Sequence, residues 1–419
     1  MTWYQAQGFE FTSQHEHELQ EVEIKSKSGP GTILHDYDVL LSYITERKMR
    51  VTGMLQLPLK TLPEINERLA HPIRHGLKRP QQKSYPPIHG LYLLLRASGL
   101  TYVDETAGEP LLLIDDKIHQ VWQSLNPTEQ YGNLLESWCI SGDTEMIGGN
   151  ETHFLPIPEN FHESLYFLTQ ISHDGLQITG NADVEDRIRY ILGMHNLGLL
   201  MLFGCIDVQY GSPKAGAGWQ IERIFRTPFG EALFALLQTE FFSDLNKIRE
   251  LEDEREIPFG VLQPILNPYF PEWKNNLILP TWSSRDGIHV IKVSLGRLWR
   301  HIALPAGASL DILAAAILDS ISFDHDHLYR FSYKDRSGIQ VNINHPVLDE
   351  GPWTNEISVG DVPIRVGHTL TFLYDFGDFW EFDVSLECVD IDMNVDKPIV
   401  IGSHCKPPVQ YPVWDEDEW

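Results

Sequence analysis

The spacing of apolar residues predicts a helical first part of the chain. After a polar stretch over residues 1–32, DYDVLLSYITERK repeats its apolar residues at helical spacing behind Asp36, which predicts a first helix capped by Asp36. PLKTLPEINERLAHPI carries an apolar stripe that stops at Pro72 and predicts a second helix. IHGLYLLLRASG has a continuous apolar run before Gly99, which predicts a third, half-buried helix with Gly99 as its C-terminal cap.

A β-hairpin and then a repeat of the same plan follow these helices. LTYVDETAGEPLLLID reads as two apolar runs joined by a Gly-containing turn, and three helices before a hairpin predict a winged helix. Later, VEDRIRYILGMHNLGLLMLFG predicts a helix, CIDVQYGSPKAGAGWQIERIF a hairpin, and TPFGEALFALLQTEFF a helix capped by Thr227. We therefore predict a second winged-helix-like unit.

The pattern changes beyond a segment that is rich in proline. Five prolines among bulky apolar residues between Ile257 and Trp282 predict an ordered but irregular connector. HVIKVSLG and LWRHIALP then alternate with a period of two around Gly296, and SLDILAAAILDSIS predicts a helix capped by Ser309. This opening is β-grasp-like, and four more strands are predicted from LYRFSYK, GIQVNI, TLTFLYDFG and FWEFDVSLECV.

The predicted fold class is therefore α+β multidomain. Mainly helical winged-helix-like units are followed by an antiparallel α+β (β-grasp-like) C-terminal domain. The predicted boundaries are a polar N-terminal arm at 1–32, a winged-helix-like domain at 33–140, a second such unit at 155–250, the proline-rich connector at 251–285 and the C-terminal domain at 286–419.

Composition narrows the class of protein. With 42% hydrophobic and 11% aromatic residues, the 419-residue chain has enough apolar material for several cores, which excludes a largely disordered protein. The four cysteines form no C-x-x-C pair, so a disulfide scaffold or a thiolate zinc site is not indicated. The N-terminus lacks the pattern of a signal peptide and no long apolar run follows, so we expect a cytoplasmic protein that does not span a membrane.

Charge is distributed unevenly along the chain. The formal net charge is −27, yet the segment from Glu46 to Arg96 contains ten basic and three acidic residues, a local charge of +7. Because lysine and arginine position duplex DNA through its phosphates, we predict double-stranded DNA as a partner of the first domain. The third helix would enter the major groove. The candidate contacts are Lys60, Arg74, Lys78, Arg79, Lys83, His89 and Arg96. Alternatively, this basic face binds an acidic protein surface.

The C-terminal domain contains a second group of candidate residues. His325, Asp326 and His327 in FDHDHLYRF are possible metal ligands. Asp375 and Asp378 lie in YDFGDFWEF, which we interpret as a strand-to-strand turn. Asp378 and Glu381 are candidate paired carboxylates for acid/base chemistry. The sequence contains no G-x-S-x-G, H-E-x-x-H, Walker or G-x-G-x-x-G motif, so we expect no cofactor and favour a non-catalytic protein.

The C-terminal domain resembles the plasmid pRiA4b ORF-3-like family. The resemblance covers about residues 286–405 and is carried by VSLGRLWRHIALPAGASLDILAAAI, FDHDHLYRFSY and DFGDFWEFDVSLE, in that order. It implies an α+β domain found in bacterial and mobile-element proteins, with no established reaction. The family's usual proline-rich ending is replaced here by VQYPVWDEDEW. The first half is similar to the helical extension of long members through LPLKTLPEINERL and LYLLLRASGL.

Three functions remain open at this point. We expect a DNA-associated regulator or mobile-element accessory protein with a basic first domain on DNA and an acidic C-terminal domain on a protein partner. One alternative is an interaction scaffold that binds no nucleic acid. The other is an unfamiliar metal-assisted enzyme that uses the region of His325, His327 and Asp378.

Overall fold

The chain divides into two compact units in a computed structural model. The N-terminal unit is Met1–Leu279 with Arg336–Gly338, and the C-terminal unit is Pro280–Asp335 with Ile339–Trp419. The structure describes residues 9–25, 29–104, 110–149, 159–244, 258–280 and 282–411. Within these segments, no helix is long and apolar enough to cross a membrane.

The N-terminal unit repeats one order of elements. Helix, strand, helix, helix, strand, strand occurs first as α2 (Ile33–Thr45), β1 (Met49–Arg50), α3 (Leu62–Arg68), α4 (Pro86–Ala97), β2 (Thr101–Asp104) and β3 (Leu111–Ile114). It occurs again as α7 (Glu159–Gln170), β4 (Leu176–Gln177), α8 (Ala182–Arg187), α9 (Met194–Leu202), β5 (Ile206–Tyr210) and β6 (Ile221–Arg226). Each set forms a three-stranded antiparallel sheet with its last strand in the middle.

The other α-helices in the described part of this unit precede, join or follow the two repeats. They are α1 (Ser13–Glu21), α5 (Asp116–Ser124), α6 (Pro127–Cys139), α10 (Pro228–Leu237) and α11 (Gln263–Leu266). Part of the predicted polar arm is thus helical, because α1 buries Leu19 completely and packs on α10. The tip of the first predicted hairpin, residues 105–109, lies outside the described residues.

The caps predicted from the sequence are right in two of three cases in this unit. Gly99 follows α4 with φ +69°, a left-handed conformation that favours glycine. The Thr227 hydroxyl accepts a hydrogen bond from the Gly230 N–H at 3.0 Å, so Thr227 caps α10. The prediction for Asp36 is wrong: it lies inside α2, is buried, and accepts hydrogen bonds from Thr32 Oγ1 and the Ala70 N–H, each at 2.7 Å.

Replacing Thr227 with alanine is expected to lower the free energy of unfolding by about 1 to 2 kcal/mol, the usual effect of losing an N-cap. Its hydroxyl serves Gly230 and also donates to the Gly204 carbonyl at 2.7 Å. Urea denaturation followed by circular dichroism measures the loss. Ser212→Ala, at an exposed position, is the control and should leave stability unchanged.

Polar side chains of α6 hold the proline-rich connector in place. Glu136 accepts hydrogen bonds from the Gly260 and Leu262 N–H groups, each at 2.6 Å, and Asn133 accepts from the Leu277 N–H at 2.8 Å. Glu129, one turn earlier, accepts from the Asn275 N–H at 2.8 Å. The described connector residues from Pro258 onward are therefore ordered as predicted, since buried backbone donors are satisfied by the side chains of one helix.

A seven-stranded antiparallel sheet forms the centre of the C-terminal unit. Its strands are β7 (Ile288–Leu295), β8 (Leu298–Pro305), β9 (Tyr329–Lys334), β10 (Gln340–Asn344), β11 (Thr369–Tyr374), β12 (Trp380–Asp390) and β13 (Ile399–His404). They are arranged as β10-β9-β11-β12-β7-β8-β13, and helix α12 (Leu310–Ile321) packs its apolar side on the sheet. Ser309 caps α12 and Gly296 turns the first hairpin, as predicted.

Candidate functional site

A basic loop and a distant hairpin tip of the N-terminal unit are in contact. The loop after α3 contacts the tip between β5 and β6: Gly76 donates its N–H to the Ala217 carbonyl and accepts from the Gly216 N–H, both at 2.9 Å. A Cβ on Gly76 would lie 1.9 Å from the Lys214 carbonyl oxygen, so only glycine permits this approach. Lys214, the one base of the second tip, thereby lies beside the basic loop.

This composite basic surface consists of exposed cations. Lys78, Arg79, Lys83 and Lys214 are all exposed. Within the described part of the chain, none of these four forms an ion pair. Arg74 is exposed as well, but Glu67 pairs with its guanidinium and partly neutralises it. Lys60 is exposed just before α3. The sequence singled out the loop; the contribution of Lys214 depends on a contact between residues far apart in the chain.

The predicted role of the third helix is not compatible with its burial. Eleven of the twelve residues of α4 are buried, and Arg96 is 0% exposed, so it cannot touch a base edge. His89 is the remaining residue of the twelve and is only partly buried: its Nδ1 lies 2.9 Å from Gln82 Nε2, and burial lowers its pKa to about 3, an effect that the nearby His195 and Lys83 reinforce. The assignment of Arg96 as a DNA contact is therefore wrong, whereas the assignment of His89 stays a prediction.

Helix α9 covers α4. A Cβ on Gly90 would lie 2.7 Å from Leu199 Cγ, and a Cβ on Gly198 would lie 2.8 Å from the Pro86 carbonyl carbon. The two helices thus touch through glycines, and the corresponding helices of the two repeats bury each other. The apolar run in α4 predicts that the helix is buried, but it does not indicate which element covers its outer face.

In the C-terminal unit, two of the predicted residues are brought together. His327 Nε2 lies 3.5 Å from Asp375 Oδ2. Asp375 follows β11 with φ +60°, and its other carboxylate oxygen accepts the Gly377 N–H at 2.8 Å. The YDFGD segment is therefore a tight turn between β11 and β12, as predicted, and this turn aims the Asp375 carboxylate at His327.

Tyr411, which the sequence analysis did not select, completes this polar cluster together with Asp326. Tyr411 Oη donates to Asp326 Oδ1 at 3.1 Å and lies 3.2 Å from His327 Nε2. Because Tyr411 has a single proton, its contact with His327 requires the imidazole proton to be on Nε2. Burial and the bond to Asp326 raise the pKa of Tyr411 to about 12. Tyr411 is 84 residues from His327, a separation that no spacing rule detects.

The other predicted residues do not join the cluster. His325 Nε2 lies 3.0 Å from Asp319 at the end of α12. Asp378 is exposed and contributes its backbone N–H to the turn, 3.4 Å from Asp375 Oδ1, while Glu381 is exposed on β12. Across the described residues, no group of three His, Cys, Asp or Glu side chains is arranged to hold a metal ion. The cluster joins the segments of His327, Asp375 and Tyr411. The His327 side chain is 37% exposed to solvent.

Comparisons with known proteins bear on the C-terminal unit. Residues 288–410 match the family model described as plasmid pRiA4b ORF-3-like protein. The search of curated proteins gives no match. One similar solved structure is the crystal structure of a protein of unknown function from Methanosarcina mazei Go1, with 23% identity over 28% of this chain and 70% of that chain and a TM-score of 0.26. The motifs and the family model agree, and residues 288–410 of this chain are a plasmid pRiA4b ORF-3-like domain.

Proposed function

We propose that this chain is a non-catalytic DNA-associated protein, a regulator or mobile-element accessory protein of the bacterial cytoplasm. Its N-terminal unit holds duplex phosphates and its acidic C-terminal unit binds a protein partner. The observation that carries the DNA part is the composite basic surface. The loop that contacts the tip of Lys214 through Gly76 continues into Lys78, Arg79 and Lys83, and all four cations are exposed in a chain of net charge −27. Lysine and arginine supply phosphate contacts of this kind.

The finer fold assignments belong to the same proposal. The order helix, strand, helix, helix, strand, strand, with the last strand central in each sheet, supports two tandem winged helices. The hairpin of β7 and β8 followed by α12 supports a β-grasp-like C-terminal domain. In this scheme α4 is not a recognition helix, because α9 covers it, and the basic loop and tip bind the backbone of the duplex. We therefore expect binding with little dependence on base sequence.

The experiment is a charge reversal on the full chain. Lys78→Glu with Arg79→Glu is expected to weaken binding to a random duplex by about 10- to 100-fold at 50 mM salt, because two phosphate contacts become repulsive. Lys214→Glu alone should weaken it several-fold, although Lys214 is more than 130 residues away in sequence. Fluorescence anisotropy of a labelled duplex, titrated with salt, measures both effects. Lys117→Glu, an exposed lysine on α5, is the matched control.

The outcomes separate the two partner classes. Loss of affinity in the double variant and in Lys214→Glu, with Lys117→Glu unchanged, supports the composite surface. Equal duplex affinity of the wild type and all three variants at matched salt refutes a role of this surface in DNA binding. If polyglutamate binds this surface and the duplex does not, the interaction-scaffold alternative replaces DNA binding.

A further inference from the structure

An apolar cleft lies beside an edge of the C-terminal sheet. It has a volume of about 460 Å³ and lies between α12 and the start of β13. Its aliphatic lining consists of Ile302, Ile312, Ala315, Ala316, Ile399 and Val400. Since β13 pairs with β8 and with no other described strand, its outer backbone edge borders this cleft.

The edge strand is unusually apolar for an exposed position. Ile399, Val400 and Ile401 are consecutive and each is about half exposed, at 45%, 49% and 46%. Natural proteins protect sheet edges with charges, prolines or a covering segment, and the six residues of β13 contain no Lys, Arg, Asp or Glu. Ile312, on the α12 side of the cleft, is 44% exposed as well.

We propose that this cleft is a docking site for an extended, cationic peptide segment of a protein partner, which adds to β13 as a further strand. An edge strand next to a helix is suited to this mode: the backbone of the peptide pairs with the strand, and every second side chain enters the groove between strand and helix. The inference rests on the partner role proposed above for the acidic unit and names its location and chemistry.

Charge selects the occupant. The C-terminal unit contains nine Lys and Arg residues against 22 Asp and Glu residues, a net charge of −13. Along the cleft α12 presents Asp311 and Asp319, and Lys397 is the single cation in the lining. The Asp319 side chain is 75% exposed. A second copy of this chain that paired through the same edge would bring the same acidic surface to the cleft, whereas a cationic strand complements it.

The test uses the full chain and three labelled pools of nonapeptides in fluorescence anisotropy. All pools have Val, Ile or Leu at alternate positions; the other positions are Lys or Arg, Asp or Glu, or Ser or Thr. We expect the cationic pool to bind at least tenfold more tightly than the neutral pool and the anionic pool not to bind. Ile312→Arg should lower the affinity for the cationic pool at least tenfold. The matched control is Ile391→Arg, which changes a residue 82% exposed and outside the cleft lining.

Four results would overturn the proposal. The first is no binding by the cationic pool, and the second is binding of equal strength by an additional control pool that has the same composition but contiguous apolar residues. The third is an equal loss of affinity in the two arginine variants, and the fourth is a concentration-dependent dimer that Ile312→Arg abolishes. The last result would assign the cleft to a second copy. Lys78→Glu with Arg79→Glu should bind the cationic pool like the wild type, so failure of DNA binding and failure of peptide binding are distinguishable.

Discussion

Replacing Gly198 with valine is expected to lower the free energy of unfolding by about 3 kcal/mol or more, at the upper end of overpacking effects. A Cβ at this position would lie 2.8 Å from the Pro86 carbonyl carbon, 2.9 Å from its oxygen and 2.9 Å from the Pro87 nitrogen. These are backbone atoms at the start of α4, so no side-chain rotation relieves the overlap. The two helices must move apart, and the packing between the repeats is lost over their length.

Thermal and urea unfolding of the full chain measure this loss. Gly53→Ala is the control, because a Cβ on Gly53 meets no atom within 4 Å. Only a small change is expected there. A Gly198→Val protein as stable as Gly53→Ala would show that α4 and α9 are not in this close contact, and the exclusion of α4 from a DNA groove would fail with it.

Local signals predicted most elements of the fold. Gly99, Gly296, Thr227 and Ser309 act at the ends of helices and in the turn where the sequence assigned them, because caps and turns depend on a few neighbouring residues. The strand alternation likewise predicted the antiparallel C-terminal sheet. Asp36 shows the limit: its carboxylate is used by Ala70, a residue 34 positions away, and this tertiary contact overrides the local preference for a cap.

The candidate sites needed long-range information. From a basic stretch next to an apolar helix we predicted a DNA-binding loop and a recognition helix. The loop is exposed, but α4 is buried, because the helix that covers it is supplied by the second repeat. Lys214 and Tyr411 are further examples. Lys214 is brought to the loop through Gly76, and Tyr411 contacts His327 directly; neither contact has a signature in local spacing.

Acid is expected to destabilise the crossing of α4 and α9 through two partly buried histidines. Burial lowers the pKa of His89 to about 3 and of His195 to about 4, both from 6.5. Their rings lie 6.0 Å apart between α4 and α9, and Lys83 adds a nearby positive charge. Among the described residues, His195 Nε2 has no hydrogen-bond partner. No carboxylate offsets the lowering of either pKa by stabilising the charged imidazole.

The direction in which stability changes with pH follows from proton binding in the folded and unfolded states. Below pH 6.5 the unfolded chain protonates both histidines while the folded chain keeps them neutral, so stability is present at neutral pH and decreases as pH falls toward the folded pKa values. From pH 6.5 to 4.5 the loss is about 2 kcal/mol for each histidine, or about 4 kcal/mol for the pair. Glu136 opposes this trend, because burial raises its pKa to about 7 and its charged form is disfavoured in the folded state.

Comparison of variants isolates the histidine contribution from Glu136 and all other groups. His195→Leu keeps an apolar side chain of similar size in the crossing and removes one titrating group. Between pH 6.5 and 4.5 its unfolding free energy should fall by about 2 kcal/mol less than that of the wild type, the contribution of a single partly buried histidine. Urea denaturation at four pH values gives these slopes. His173→Leu, at a fully exposed histidine, should follow the wild type. Parallel curves for wild type and His195→Leu would mean that His195 titrates alike in folded and unfolded chains, and therefore that water reaches the α4–α9 crossing.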